Sequence, residues 1–230
     1  MAKSNGSSTH RPLSRERILR TALRLVDRDG VDALSMRRLA SELGVEAMSL
    51  YNHIPNKAAL LDGVTKIILD EINPAVAASG PWEERIQAIT SEFRRVALAH
   101  PAAFILLATR PVASTVALQA FETGLALLAD VGFDSATSVH AIRAIVALHT
   151  GAILRQLSGG GSSLIERSEA PELLAQQAAA LRAGGFPALA AAVPDLGSCD
   201  HDEEYRFGME LILAGLRQQL ARQEEARVAS

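Results

Sequence analysis

Cysteine is almost missing from this chain: Cys199 is the single one in 230 residues. That excludes an internal disulfide and a cysteine metal cage, and it predicts a reducing compartment. Aromatic residues are scarce as well, at 4%, although 48% of the chain is hydrophobic. Alanine and leucine supply most of that share, and both favour helix over strand, so the expected fold class is all-α. Long apolar runs are also lacking. No uninterrupted stretch approaches ~18 residues, and the N-terminal MAKSNGSSTHRPLS has no apolar segment of the signal-peptide kind. A cytoplasmic protein that does not cross a membrane is the expectation.

An excess of positive charge is absent from the total, which stands at −3 and taken alone argues against a nucleic-acid partner. The distribution says otherwise. Residues 1–57 hold ten Lys or Arg and six Asp or Glu, a balance of +4, while residues 58–230 hold thirteen and twenty, a balance of −7. A basic end on an acidic body confines contact with a polyanion to the first quarter of the chain.

What is present is helix after helix. Residues 1–13 are polar, with Gly, Ser and Pro, and read as a disordered arm. Ser14 is then a candidate N-cap, and Ile18, Leu19, Ala22, Leu23, Leu25 and Val26 recur at helical spacing up to Asp29-Gly30. Ser35 offers a second cap for a short helix with Leu39, Ala40 and Leu43 on one face, closed by Gly44 in the left-handed conformation that glycine adopts most easily. A third helix is expected over 46–54, burying Leu50 and Ile54, and a fourth over 57–72, ended by Asn73-Pro74. Further helical segments are expected at 82–99, 102–109, 115–131, 135–157, 171–183 and 202–223. The SGGGSS run at 158–163 reads as a connection, because no Gly-Lys-Ser/Thr follows it and no strand precedes it.

The stretch LGVEAMSLYNHIPNK, residues 43–57, collects hydrogen-bond donors on a short apolar scaffold. Two short helices joined by a tight turn at Gly44 have the layout of a helix-turn-helix, whose second helix enters the major groove. Ser49, Tyr51, His53 and Lys57 suit phosphates, which positions a helix without reading sequence. Arg37, Glu46 and Asn52 suit base edges, and Ala47 and Met48 suit thymine methyls. Taken singly, each polar residue could as well be a solvated side chain on an exposed helix; the turn and the basic flank together favour the groove.

Residues 15–61, above all LSMRRLASELGVEAMSLYNHIPNKAALL, resemble the DNA-binding domain of the tetracycline-repressor (TetR) family of transcriptional regulators. The resemblance implies that Arg37, Ala47, Met48 and Asn52 face bases while Ser49, Tyr51, His53 and Lys57 hold the backbone. It extends more weakly through WEERIQAITSEFRRVALAHPAAF, ATRP, GLALLADVGF and VALHTGAIL, which are similar to the family's effector-binding domain. There it implies a helical core that admits a small organic effector, and a homodimer formed through a four-helix bundle. By position the helices of that bundle are 135–157 and 202–223, with Phe207, Leu211, Ile212, Leu216 and Leu220 as a broad apolar face. An ordinary core face explains that stripe equally well.

The resemblance breaks where magnesium and tetracycline would be held. Leu106 and Arg155 stand at the positions of the metal-holding histidine and the assisting acid, and Ile89 at that of the drug-anchoring asparagine. Leucine offers no lone pair and arginine repels a cation. Phe93 and Thr109 are kept. A more apolar organic effector is therefore expected, held by Phe93, Leu106, Thr109 and His149, with no metal and no cofactor.

Enzymatic chemistry finds little footing. His140 and His149 share one expected helix but fall on opposite faces at nine residues' separation. The run Cys199-Asp200-His201-Asp202-Glu203-Glu204 reads as the capped, acidic start of a helix rather than as a metal site. His100 and Arg110 are read as helix-end caps before ligand contacts. No GxSxG, HExxH or dinucleotide fingerprint is present. The sequence thus predicts a disordered arm (1–13), a helix-turn-helix domain (14–60) and a helical ligand-binding and dimerisation domain (61–230). Together they would form a non-enzymatic, ligand-responsive repressor of double-stranded operator DNA. The competing reading is a helical small-molecule-binding protein or enzyme whose N-terminal unit binds a protein.

Overall fold

Side-chain caps fix the starts of the first helices. In a computed structural model that describes residues 12–77, 79–104, 115–157, 170–197 and 200–228, α1 spans Arg15–Asp29 and the Ser14 hydroxyl accepts from the Arg17 N–H at 3.2 Å. Helix α2, Met36–Leu43, starts the same way, with Ser35 accepting from the Arg38 N–H at 3.2 Å. Such caps satisfy donors that have no partner inside the helix, and losing one costs about 1 kcal/mol. Gly44 ends α2 at φ 68°, ψ 34°, the left-handed conformation its sequence position predicts. The expected disordered arm lies almost wholly outside the described residues.

Helix α3 is Ala47–Tyr51, shorter than the expected 46–54. The His53 N–H turns back to the Leu50 carbonyl at 3.0 Å, a tightened turn. Pro55 then disfavours helical geometry at Ile54, so the helix stops early. A five-residue helix has no stability of its own. It is held by Leu50 and Ile54, both 0% exposed, whose burial is worth about 1.5–3 kcal/mol each. Asn56 caps α4, Lys57–Leu69, by accepting from the Ala59 N–H at 2.8 Å. Beyond Leu69 the backbone tightens into turns, with Ile72 N–H bonded to the Leu69 carbonyl, so α4 too ends before its expected limit at 72. A 3-10 turn, Pro74–Ala77, follows.

The remaining described helices are α5 (Trp82–Ala99), α6 (Thr115–Val131), α7 (Ser135–Leu157), α8 (Pro171–Ala183), α9 (Pro187–Ala191), α10 (Val193–Gly197) and α11 (His201–Val228). Of the expected 102–109 helix, residues up to 104 are helical and the rest lie outside the described set, as does SGGGSS. Helices α9 and α10 were not anticipated. Helix α11 continues past its expected end at 223, and in its last turn Arg227 donates to the Gly132 carbonyl at 2.8 Å. Among the described residues there is no strand.

The chain divides into two compact units, Met1–Asn73 with Ala99–Leu118, and Pro74–Leu98 with Gln119–Ser230. In the first, α1 packs on both α2 and α4, and Ile18, Ala22, Val26, Leu39, Leu60 and Val64 are buried. Close approach of α1 and α4 depends on Gly63, where an added Cβ would fall 2.4 Å from Leu19 Cδ2. The core of the second unit draws Ile86 from α5, Leu127 and Leu128 from α6, Ala141 and Ile145 from α7, and Tyr205, Met209, Leu213 and Leu216 from α11. Trp82 meets Phe133 edge to face beside it, ring centres 5.6 Å apart.

Helix α7 is long and apolar enough to cross a membrane by length and composition. Its inner stripe, Ala141, Ile145, His149 and Ile153, recurs every four residues and is buried against the second unit, while Val146 and Leu154 remain exposed. On α11 the broad apolar face expected from the sequence is split. Leu216 is buried, Ile212 and Leu220 pack against the core, and only Phe207 and Leu211 stay exposed, at 62% and 60%.

Candidate nucleic-acid interface and effector site

Helix α3 stands on its apolar residues and presents its polar ones. Leu50 and Ile54 face inward, while Glu46, Met48, Tyr51, Asn52, His53 and Lys57 are exposed and Ala47 and Ser49 are half-buried. Met48 is 70% exposed, so its thioether is open to a partner surface. Glu46 occupies the N-cap position of α3 but makes no side-chain cap bond, so its carboxylate is not committed to the helix start. The cap of α4 is made by Asn56, which leaves Lys57 exposed at the first helical position beside the end of α3.

Basic residues of this unit fall into two groups. Arg28 pairs with Glu42 and Asp29 at 3.3 and 3.0 Å, Arg38 with Asp29 at 2.7 Å, and Arg20 with Glu16 at 2.9 Å. Arg37, one position from Arg38, is exposed and makes no ion pair among the described residues. Neighbours on a helix point 100° apart, so one arginine ties α2 to the end of α1 and the other faces away. The structure thus brings Arg37, the α3 edge and Lys57 into the same compact unit with their charged and polar groups uncommitted.

In the second unit, His149 is 5% exposed and its Nδ1 lies 3.0 Å from the Tyr205 hydroxyl. Phe93 meets the imidazole edge to face at 4.7 Å, and Tyr205 does so at 5.6 Å. Arg94 lies over the Tyr205 ring at 5.1 Å from its centre, with Asp202 and Gln156 hydrogen-bonded to its guanidinium. Burial, and secondarily the charge of Arg94, pushes the His149 pKa down to about 4, so the ring is neutral at physiological pH. Phe93 and His149, both expected from the sequence, are therefore in contact. Leu106 and Thr109 lie outside the described residues. Sequence reasoning missed Arg94 and Tyr205, whose nearness to His149 is set by the packing of α5, α7 and α11 and leaves no local signal.

Arg155, at the position where the resemblance places an assisting acid, pairs with Glu204. Ile89 is half-buried against the core of its unit. Asp200 caps α11, accepting from the N–H groups of Asp202 and Glu203 at 2.9 and 3.1 Å, the role its sequence context predicts; Cys199 lies outside the described residues. His140 is exposed and His149 buried, on opposite faces of α7 as expected. Among the described residues, no group of three or more His, Cys, Asp or Glu is placed to hold a metal ion.

Comparisons with known proteins match two family models along this chain. Residues 18–64 match the family described as bacterial regulatory proteins, tetR family. Residues 74–220 match the tetracyclin repressor-like C-terminal domain. An HTH-type transcriptional regulator of Saccharopolyspora erythraea is 34% identical, over 91% of this chain and 87% of that protein. The tetracycline repressor protein class D of Escherichia coli is 31% identical, over 90% of this chain and 91% of that protein. The crystal structure of the Streptomyces coelicolor TetR family protein ActR in complex with actinorhodin superposes with a TM-score of 0.73 at 32% identity, covering 89% of this chain and 95% of that one.

Proposed function

Because this chain belongs to the tetR family of bacterial regulatory proteins, we propose that it is a homodimeric cytoplasmic repressor that grips a near-palindromic operator and changes its affinity when a small organic effector binds. The observation that carries the DNA half is the uncommitted polar edge of α3 standing on the fully buried Leu50 and Ile54. Arg37, Glu46, Ala47, Met48 and Asn52 are assigned to base edges, and Ser49, Tyr51, His53 and Lys57 to phosphates. Two copies of α3 about 34–36 Å apart would enter successive major grooves on one face of the duplex. The exposed Val146 and Leu154 of α7 and Phe207 and Leu211 of α11 supply apolar surface for the second copy.

The effector reading rests on the second unit, where Phe93, His149 and Tyr205 form an aromatic cluster around a neutral imidazole. Leu106 and Thr109 are assigned to the same ligand by position. A relative is named a tetracycline repressor and another structure contains actinorhodin, but this chain carries Arg155 paired with Glu204 where magnesium would need an acid. A metal-independent, largely apolar effector fits those residues. It acts through unequal affinity for two shapes, with α4 as the lever, and a coupling of ~1–3 kcal/mol changes DNA affinity about 5–150-fold.

A gel shift of the purified protein on DNA flanking its own gene, with its mass in solution measured in parallel, tests the reading. A sequence-selective shift by a dimer is expected, unchanged by magnesium plus tetracycline. A stable monomer, or equal affinity for unrelated duplexes of the same length, would overturn it.

A further inference from the structure

The chain passes between its two units after Asn73, after Leu98 and after Leu118. The first two of these crossings are fastened together on the side of the first unit. Glu71 lies just before one and His100 just after the other, and His100 Nε2 is 3.1 Å from Glu71 Oε2. The second ring nitrogen, Nδ1, is 2.8 Å from Asp27 Oδ2 in the last turn of α1. The chain beyond the ring is seated in the same unit: the Phe104 N–H bonds the His100 carbonyl at 2.8 Å, and Ala103 and Phe104 are buried. Three elements thus meet on one imidazole, namely the end of α1, the turn after α4 and the chain just past α5. The ring is only 15% exposed, so water does little to replace a lost partner. Helix α2 packs on α1, and α3 packs on α2. The clasp therefore holds the helices on which the exposed α3 edge is mounted.

We propose that His100, Asp27 and Glu71 form a proton-operated clasp, closed when the imidazole carries both protons and half-open when it carries one, so that the protein holds duplex DNA more tightly at mildly acidic than at mildly alkaline pH. The inference rests on the reading that the first unit binds DNA, and it adds the proton to the effector as a second input. An imidazolium donates to both carboxylates, whereas a neutral ring donates to one and turns a lone pair toward the other. Loss of that bond frees either the end of α1 or the turn after α4, and DNA binding then carries the cost of ordering it again. Charge acts in the same direction, because the proton removes one net negative charge from the unit that meets a polyanion. Asp27 and Glu71 are the charged groups facing the ring, one from each neighbouring element. Burial disfavours the charged ring, but the hydrogen bonds and charges of those two carboxylates outweigh it and raise the His100 pKa above the ordinary histidine value. Closure is thus complete below about 6.5 and is lost as pH rises through the raised value.

The probe is a fluorescent duplex carrying the DNA that flanks the protein's own gene, titrated with the full-length protein at constant ionic strength near pH 6 and near pH 8.5, about either side of the histidine range. Wild type is expected to gain at least about fivefold more affinity on acidification than His100→Gln, the lower end of ordinary coupling between sites. Asp27→Asn and Glu71→Gln should each cut that gain as well. His53, assigned to a phosphate, also titrates, but it contributes equally to wild type and to His100→Gln, so the difference between them isolates the clasp. Proton NMR of the wild-type imidazoles supplies a readout that does not depend on any variant folding: by reciprocity, the His100 pKa must rise when the duplex binds. Equal pH dependence in wild type and His100→Gln, a gain abolished by His53→Gln instead, or a His100 titration that the duplex leaves unmoved would sink the clasp while leaving the DNA interface standing. If wild type binds no duplex at either pH, the DNA reading itself falls, and the inference with it.

Discussion

His100 Nδ1 lies 2.8 Å from Asp27 Oδ2, joining the residue just past α5 to the last turn of α1, and its Nε2 lies 3.1 Å from Glu71 Oε2 beyond the end of α4. An imidazole set between two carboxylates can donate to both only when it is protonated. Burial pulls the His100 pKa down, but the hydrogen bonds and charges of Asp27 and Glu71 together outweigh it and raise the pKa above the ordinary histidine value. A raised folded-state pKa contributes stability that is fully present below the unfolded value of about 6.5 and is lost as pH rises through the folded value. The melting temperature of wild type should therefore exceed that of His100→Gln most clearly near pH 6, and the gap should narrow toward alkaline pH. A gap that is constant across the range would show that the ring serves packing alone.

Arg37 and Arg38 make a matched pair for testing the DNA interface. Arg37→Ala should relax preference at particular base pairs, at ~1–3 kcal/mol each, in a competition assay across operator variants. Arg38 is already tied to Asp29, and loss of such a half-exposed surface pair costs about 0–1 kcal/mol of stability. Arg38→Ala should leave base preference intact. Equal loss of specificity in both variants would contradict the division.

Lys57 is assigned to a phosphate, so its removal should weaken binding to every sequence alike. The slope of log affinity against log salt should fall by about one in Lys57→Ala. Tyr51→Phe should weaken binding in the same sequence-independent way, with the slope unchanged. Full affinity with the wild-type slope in Lys57→Ala would remove that residue from the interface.

Gly63 sets the spacing of α1 and α4. Ala is the better helix former by about 1 kcal/mol, but its Cβ would meet Leu19 Cδ2 at 2.4 Å, and Leu19 is only 4% exposed. Overpacking of that kind costs about 1–3 kcal/mol. Gly63→Ala should lower the denaturation midpoint, and adding Leu19→Val should recover part of the loss. A more stable Gly63→Ala protein would mean that Leu19 moves aside freely.

Local chemistry was legible in the sequence and distant packing was not. Ser14, Ser35 and Gly44 announce helix ends because a cap is read from one residue and its immediate neighbours, and the inward residues Leu39, Leu50 and Ile54 follow from spacing. Helix α3 is shorter than its apolar pattern because the constraint of Pro55 reaches back past Ile54. Helix α11 runs on past Leu220, the last apolar residue packed on the core, and there Arg227 is fastened to Gly132, a partner far back in the chain. The same distance hid His100, whose partners lie on other elements, and it hid Tyr205 beside His149. Residues at 187–191 and 193–197 form single turns too brief for periodicity to mark.

Phe207 and Leu211 on α11, with Val146 and Leu154 on α7, leave greasy ground uncovered on a lone chain. If a second copy closes over it, folding and pairing become one equilibrium, and the protein's persistence depends on how much of it there is. A cell making few copies would then hold a regulator scarce twice over, with fewer molecules and a smaller fraction of them assembled. Dilution would relieve repression more steeply than a simple count of molecules suggests.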